Sequence, residues 1–472
     1  MPISDNIGGF IRPGFNPLLV PNAPTIGTAS SGGSLAISIA FTAPSDVGGG
    51  AITSYEAIAT DTVTAAVFTA SGSSSPVTIT GLTEGQSYTT TVTAINAYGP
   101  SGMSAASNSF QAAVALGLWT WGNNGQGALG TSNTTNYSSP VQVGALTDWL
   151  DAALGYSYGI AVKTDGTLWT WGRGTYGVNG RGNTTAVSSP IQVGALTTWA
   201  SVGAGTYING ALRQDGTLWT WGAGWEGALG HNNTTSYSSP VQVGALTDWL
   251  QLSGGNYFMT AVKTDGTLWA WGRNTVGQLG DGSTTVRSSP VQVGALTNWS
   301  TTHSRSFFTM ALKTDGTIWC WGEGGSGALG QGNTTDYSSP VQVGALTTWA
   351  TIGPGSETDQ ANSEWSMAVK TDGTLWTWGE NSKGQLGNGN TTDISSPAQV
   401  GALTTWSKVS GGRKSSYAIK TDGTFWAWGD GESLGDGTTT GKSSPVQIGA
   451  LTTWGKMPSQ NMHIGAQGLI KS

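Results

Sequence analysis

The chain has 472 residues, 10% of them charged, with 74 Gly, 23 Trp, a single Cys and a net charge of −7 at a pI near 4.9. That length allows two or three domains, and regularly spaced apolar and Trp residues exclude a disordered low-complexity chain. The absence of any Lys/Arg run excludes a groove for nucleic-acid phosphates. Cys320 has no partner for an internal disulfide. Without an apolar run of about 18 residues, or a basic segment followed by an apolar one at the N-terminus, neither membrane insertion nor a secretory signal is expected.

Residues 1–21 are apolar and rich in Gly and Pro, too short for a core. They read either as a disordered tail or as an extended arm, in which Phe10, Ile11, Phe15, Leu18 and Leu19 are the residues that would dock on another subunit. Residues 22–112 alternate apolar and polar positions in short runs broken by Gly, Pro and Ser, as in a β-sandwich of about 90 residues. The stretch "SPVTITGLTEGQSYTTTVTAINAYGPS", with Leu82 and Tyr88 spaced for a tyrosine corner, resembles a fibronectin type III domain. Phe41 stands where that family usually carries a buried Trp. The resemblance implies a spacer or adhesive module.

From residue 113 onward one unit recurs seven times. Trp-x-Trp-Gly tetrads begin at Trp119, Trp169, Trp219, Trp269, Trp319, Trp376 and Trp426, and each unit closes on "GALTxW". Outside these two markers only Trp225 and Trp365 remain. The single long step between tetrads reflects an insertion around 354–365. Each unit predicts four strands: the segment after the closing Trp, "AVK", "TLWTWG" and "PVQV", the last starting at its Pro. The Asp-Gly of "KTDG" is expected to form a type I′ hairpin with both residues at positive φ. Four-stranded modules at such a period predict a β-propeller. The chain begins without a complete "TW…KTDG" half-unit and ends with one, so residues 455–470 are expected to pair beside the 118–122 strand, closing the ring without an exposed edge.

"ALKTDGTIWCWGEGGSGALGQGN" (311–333) and "AVKTDGTLWAWGRNTVGQLGDGS" (261–283) resemble repeats of the regulator of chromosome condensation (RCC1) family, whose fold is a seven-bladed propeller. Where that family often has His before the "AL" strand, this chain has Tyr158, Ile208, Phe258, Phe308, Trp365 and Ser415, an apolar column expected in the core. The fold class read from the sequence is therefore all-β: a fibronectin III-like sandwich followed by a seven-bladed propeller closed by its C-terminus.

No catalytic or metal signature emerges. His231, His303 and His463 lie in different units, and no HExxH, CxxC, GxSxG or phosphate-loop pattern occurs. Neither enzymatic activity nor a cofactor or metal is expected. Variation between units concentrates in the loop after the closing Trp and the loop after the tetrad, which strand parity puts on one face, with the constant turns on the other. Loops on a rigid scaffold carry recognition. The candidate binding residues are Tyr156, Tyr176, Tyr207, Trp225, Tyr257, Arg305, Phe307, Arg413 and Lys414, types enriched at binding hot spots.

Three functions compete. The polar Gly/Ser/Thr-rich repeats and front module suit a virion, and the ensemble resembles phage structural proteins. The first expectation is thus a phage tail or fibre component that contacts other virion proteins through its arm or sandwich and binds a host-surface glycan or protein. A bacterial surface or secreted binding or inhibitor protein is the second. An intracellular regulator of a GTPase or of chromatin is the third, disfavoured by charge and front domain. Homo-oligomerisation is compatible with all three.

Overall fold

The computed structural model describes residues 19–84, 86–112, 116–145, 147–357, 362–457 and 465–471. The chain divides into two compact units, 1–114 and 115–472. Phe10, Ile11, Phe15 and Leu18 of the expected docking arm lie outside the described residues. Leu19 is exposed at the edge of the first unit, and its backbone is tied down: its N–H donates to the Gly48 carbonyl (2.8 Å) and its carbonyl accepts from Asn96 Nδ2 (2.9 Å).

The first unit is a two-sheet sandwich. Thr25–Gly33, Ala36–Thr42 and Val77–Ile79 form one sheet. Val67–Gly72, Ile52–Asp61, Ser87–Asn96, Gly99–Pro100 and Phe110–Gln111 form the other. The inward residues of each strand alternate with solvated ones and meet in one core containing Ile37, Ile39, Ala57, Leu82, Tyr88 and Val92. The Tyr88 hydroxyl accepts from the Thr83 N–H at 3.0 Å, the tyrosine corner read from the spacing. Phe41 fills the usual Trp position by packing 4.6 Å from Tyr55.

In the second unit the strands form seven blades. In the blade that starts at Trp249, the strands Trp249–Gly254, Phe258–Lys263, Leu268–Gly272 and Arg287–Gln292 pair antiparallel in that order. First strands of neighbouring blades pack on one another, so they are innermost. Two details differ from the expectation. The outer strand begins three residues before its Pro, which falls at a register shift on an edge strand. There a missing N–H costs no ladder bond. The "KTDG" turn is not type I′, because its Gly alone is left-handed (Gly266, φ +75). Lys263 N–H donates to the Thr267 carbonyl (3.0 Å), closing a three-residue loop with Gly in the αL position. Asp265 Oδ1 then accepts from both the Thr267 N–H (2.9 Å) and hydroxyl (2.7 Å), and Thr267 Oγ1 accepts from Trp269 Nε1 (2.9 Å). The repeated Asp is therefore turn chemistry.

The two Trp of each tetrad face opposite ways. Trp269 is half-exposed, while Trp271 is fully buried, 6.2 Å from Trp249. Trp271 Nε1 donates to the Ala228 carbonyl of the preceding blade at 3.0 Å. A Cβ on Gly230 would come within 2.9 Å of that nitrogen, which is why the position is Gly. The same bond recurs around the ring and closes it: Trp121 Nε1, in the first tetrad, donates to the Ser433 carbonyl in the last unit (2.9 Å). The backbone closes as expected, with Gly465–Lys471 pairing antiparallel to Leu116–Gly122.

Candidate binding face

Strand parity is visible in the turns. The constant turns meet at one end of each blade: Thr164 N–H donates to the Asp148 carbonyl (2.8 Å), and Trp199 N–H to the Gly166 carbonyl (3.0 Å). At the other end the loops after the closing Trp link neighbouring blades, with Tyr156 N–H on the Thr206 carbonyl (3.2 Å) and Thr206 N–H on the Gly255 carbonyl (3.2 Å). The long loop after each tetrad contributes its first half to this same end and then returns along the blade's outer side, where Gly182 N–H reaches the Ser238 carbonyl (2.7 Å) of the next blade.

On this face five of the candidate residues form one continuous aromatic shelf. Ring centroids lie 5.2 Å apart for Tyr156–Tyr207, 5.3 Å for Tyr207–Tyr176, 4.5 Å for Tyr176–Trp225, 5.4 Å for Trp225–Tyr257 and 6.1 Å for Tyr207–Tyr257. The rings come from three blades and from both kinds of variable loop. Tyr176 and Trp225 are each 40% exposed, the others half-buried. Tyr176 and Tyr257 hold positive φ (60° and 61°), as does Glu226 between them in the shelf (54°). Bulky side chains adopt that region only at a cost, and such strain clusters at functional sites.

Two arginines that the sequence reading passed over complete the shelf. Arg173 lies over Tyr156 (5.5 Å) and Tyr207 (5.3 Å), and its Nη1 donates to the Tyr207 hydroxyl at 3.4 Å. Arg273 lies over Phe307 (4.9 Å) and pairs with Glu226 (3.7 Å). Their signal was present. The residue directly after the tetrad reads Asn123, Arg173, Ala223, Arg273, Glu323, Glu380, Asp430, so both cations fall on blades that carry shelf aromatics and the three acids on blades that do not.

The other candidates lie elsewhere. Arg413 and Lys414 are engaged with Glu357 from the insertion (3.4 and 2.6 Å), apart from the shelf. Arg305 is not a surface residue. It is 3% exposed, with Nε donating to the Pro354 carbonyl (3.1 Å) and Nη2 to the Gly411 carbonyl (2.8 Å). Its position is Gly in the other complete units (Gly155, Gly205, Gly255, Gly355, Gly412). There a buried side chain of the same blade, an aromatic ring in every case but Ile208 beside Gly205, lies where a Cβ would be, 2.0 Å from Phe258 in the case of Gly255. Arg305 instead sends its chain inward across two blades, and burial pushes its guanidinium down to about 9. The column expected in the core is there: Tyr158, Ile208, Phe258, Phe308, Trp365 and Ser415 are all buried.

On the acidic side Glu364 is buried against Glu323. Burial and the facing Glu323 carboxyl hold Glu364 well above the usual carboxylate range, and burial raises Glu323 as well. Among the described residues Glu323 Oε2 and Glu364 Oε1 each lack a donor, so one proton between them is the arrangement the site calls for. Among the described residues no three His, Cys, Asp or Glu side chains are grouped as metal ligands.

Comparison with known proteins places these features. The regulator of chromosome condensation (RCC1) repeat model matches 117–162, 165–212, 215–262, 265–312, 315–356 and 372–419, more than half the chain, and the fibronectin type III model matches 22–110. A 39-residue stretch is 46% identical to Protein RCC2 of Mus musculus, spanning 8% of this chain and 8% of that protein. Human WBSCR16 superposes with a TM-score of 0.66 at 18% identity, over 76% of this chain and 99% of its own. Prp20p of Saccharomyces cerevisiae, described with its binding to Gsp1p and histones, gives 0.65 at 16% identity over 76% and 92%.

These matches overturn the reading as a phage tail or fibre component located in a virion. The matched proteins are RCC1-type proteins of mouse, human and yeast. The Gly, Ser and Thr taken as signs of a virion serve the repeat's own turns, so composition carried no address. With its repeats matched unit by unit and their strands closed into a ring, the chain belongs to the RCC1 repeat family.

Proposed function

We propose that this chain is a non-enzymatic, protein-binding propeller whose partner docks on the aromatic shelf. The observation that carries the reading is the five-ring cluster itself, with Tyr176 and Trp225 each 40% exposed on strained loops that face solvent. Exposed Tyr and Trp with adjoining Arg are the composition of binding hot spots. Prp20p is described as binding a protein, Gsp1p, and histones, and protein partners are the class we assign here. The constant face repeats one turn in every blade, whereas the shelf occurs once.

The test is site-specific photocrosslinking in extract of the source cells. A benzophenone side chain at Tyr176 is expected to give a discrete protein adduct, and one at Leu296, in a constant turn, none. Equal adducts from both positions, or none from Tyr176, would overturn the assignment of the shelf.

A further inference from the structure

Resting on that reading, we infer that the shelf recognises a partner segment presenting a carboxylate beside an aromatic or prolyl residue, with Arg173 as the group that receives the carboxylate. Three other cations of this face already have acidic neighbours. Arg273 faces Glu226, and Arg413 and Lys414 share Glu357. Among the described residues no carboxylate pairs with Arg173, although it is only half-exposed. Among the described residues the one hydrogen bond of its side chain is the long 3.4 Å bond to the Tyr207 hydroxyl.

Geometry makes the guanidinium ready for an anion. Tyr156 and Tyr207 cover it at 5.5 and 5.3 Å, fixing a flexible side chain before any ligand arrives. The two rings, 5.2 Å apart, lie to one side of the guanidinium, and a carboxylate would approach its edge, where two parallel N–H donors fit two oxygens. Tyr207 also packs on Tyr176, which in turn meets Trp225, so the cation adjoins the exposed rings. A segment with one acid and one flat or prolyl side chain nearby would engage both. An acidic residue alone would leave the rings wet, and a basic segment would meet Arg173 and Arg273 with repulsion. The carboxylate can come from an Asp or Glu side chain or from a chain terminus.

The experiment is selection of a displayed library of random linear peptides on the intact chain, with the winners synthesised with free and with amidated C-termini. Enriched peptides are expected to combine Asp or Glu, or a free terminus, with Trp, Tyr, Phe or Pro. Their affinity should fall about 10-fold or more on Arg173→Gln, as expected for loss of a charge-assisted pair, and comparably on Trp225→Ala. Arg173→Lys should recover only part, because a point charge lacks the fork. Binding unchanged by amidation assigns the carboxylate to a side chain. Peptides that need Trp225 but not Arg173, or that are rich in Lys and Arg, overturn the carboxylate claim and leave the shelf as a binding face. Peptides that need neither residue, or selection of glycan mimics in place of peptides, overturn both. Unaltered thermal unfolding of the variants separates lost contacts from lost fold.

Discussion

Arg305 Nη2 donates to the Gly411 carbonyl at 2.8 Å, tying one blade to the next but one, while Nε holds the Pro354 carbonyl of the blade between. Burying a guanidinium is costly, as its lowered value of about 9 records, but removing it strands two carbonyls. Each stranded acceptor costs about 1–3 kcal/mol. Arg305→Ala is therefore expected to destabilise the ring by roughly 2–4 kcal/mol in urea unfolding. An unchanged midpoint would show that the bonds contribute nothing net.

Closure makes a second prediction. Deleting residues 465–472 removes the inner partner of the Leu116–Gly122 strand, whose seven residues are matched by Gly465–Lys471, and leaves only Tyr137–Gln142 on its other side. At about 1 kcal/mol net per backbone bond, the loss is several kcal/mol and leaves an open edge. Unfolding should become broader and earlier, with association of the exposed edges. A truncated protein that melts like the intact one would mean that the Trp121–Ser433 link and the Lys456–Asp151 ion pair (2.7 Å) suffice.

The two environments of Trp can be told apart by mutation. Trp271→Ala empties a fully buried site and breaks the bond to Ala228, so a loss of about 3–5 kcal/mol is expected. Trp225→Ala removes a ring that is 40% exposed and should cost at most about 1 kcal/mol. Equal losses, measured by thermal unfolding, would mean the shelf is part of the core.

Stability should also report the Glu323–Glu364 pair. Both carboxyls are raised in the fold, so the folded chain keeps a proton that the unfolded chain releases near 4.5. Their contribution is present below 4.5 and is lost as pH rises through the raised folded value. The lowered carboxyls of turn residues such as Asp315 act in the opposite sense and only below 3.8. Glu364→Gln, which supplies an N–H donor without a charge, should be more stable than the parent at about pH 8 and show a flatter profile down to about pH 5. A parallel loss in parent and variant across that window would rule out the shared proton.

The sequence by itself determined the repeat, the four strands of each blade, the ring closure and the sandwich. These follow from local periodicity, and the unit repeats seven times, so each copy checks the others. It also named five of the shelf residues, because aromatic residues in varying loops stand out against a constant background. Tertiary structure decided the rest. Whether Arg305 points to solvent or across the ring depends on the space left by Phe308 and the neighbouring blades, which no local pattern encodes. The link from Arg173 to Tyr207, 34 positions away, exists only because adjacent blades bring their loops to one end. The hairpin turn type was misjudged because Asp-Gly serves both a two- and a three-residue loop, and the Thr267 hydrogen bonds to Asp265 select the latter. Composition suggested a place in a virion, yet the same Gly, Ser and Thr are what tight turns demand wherever the protein works.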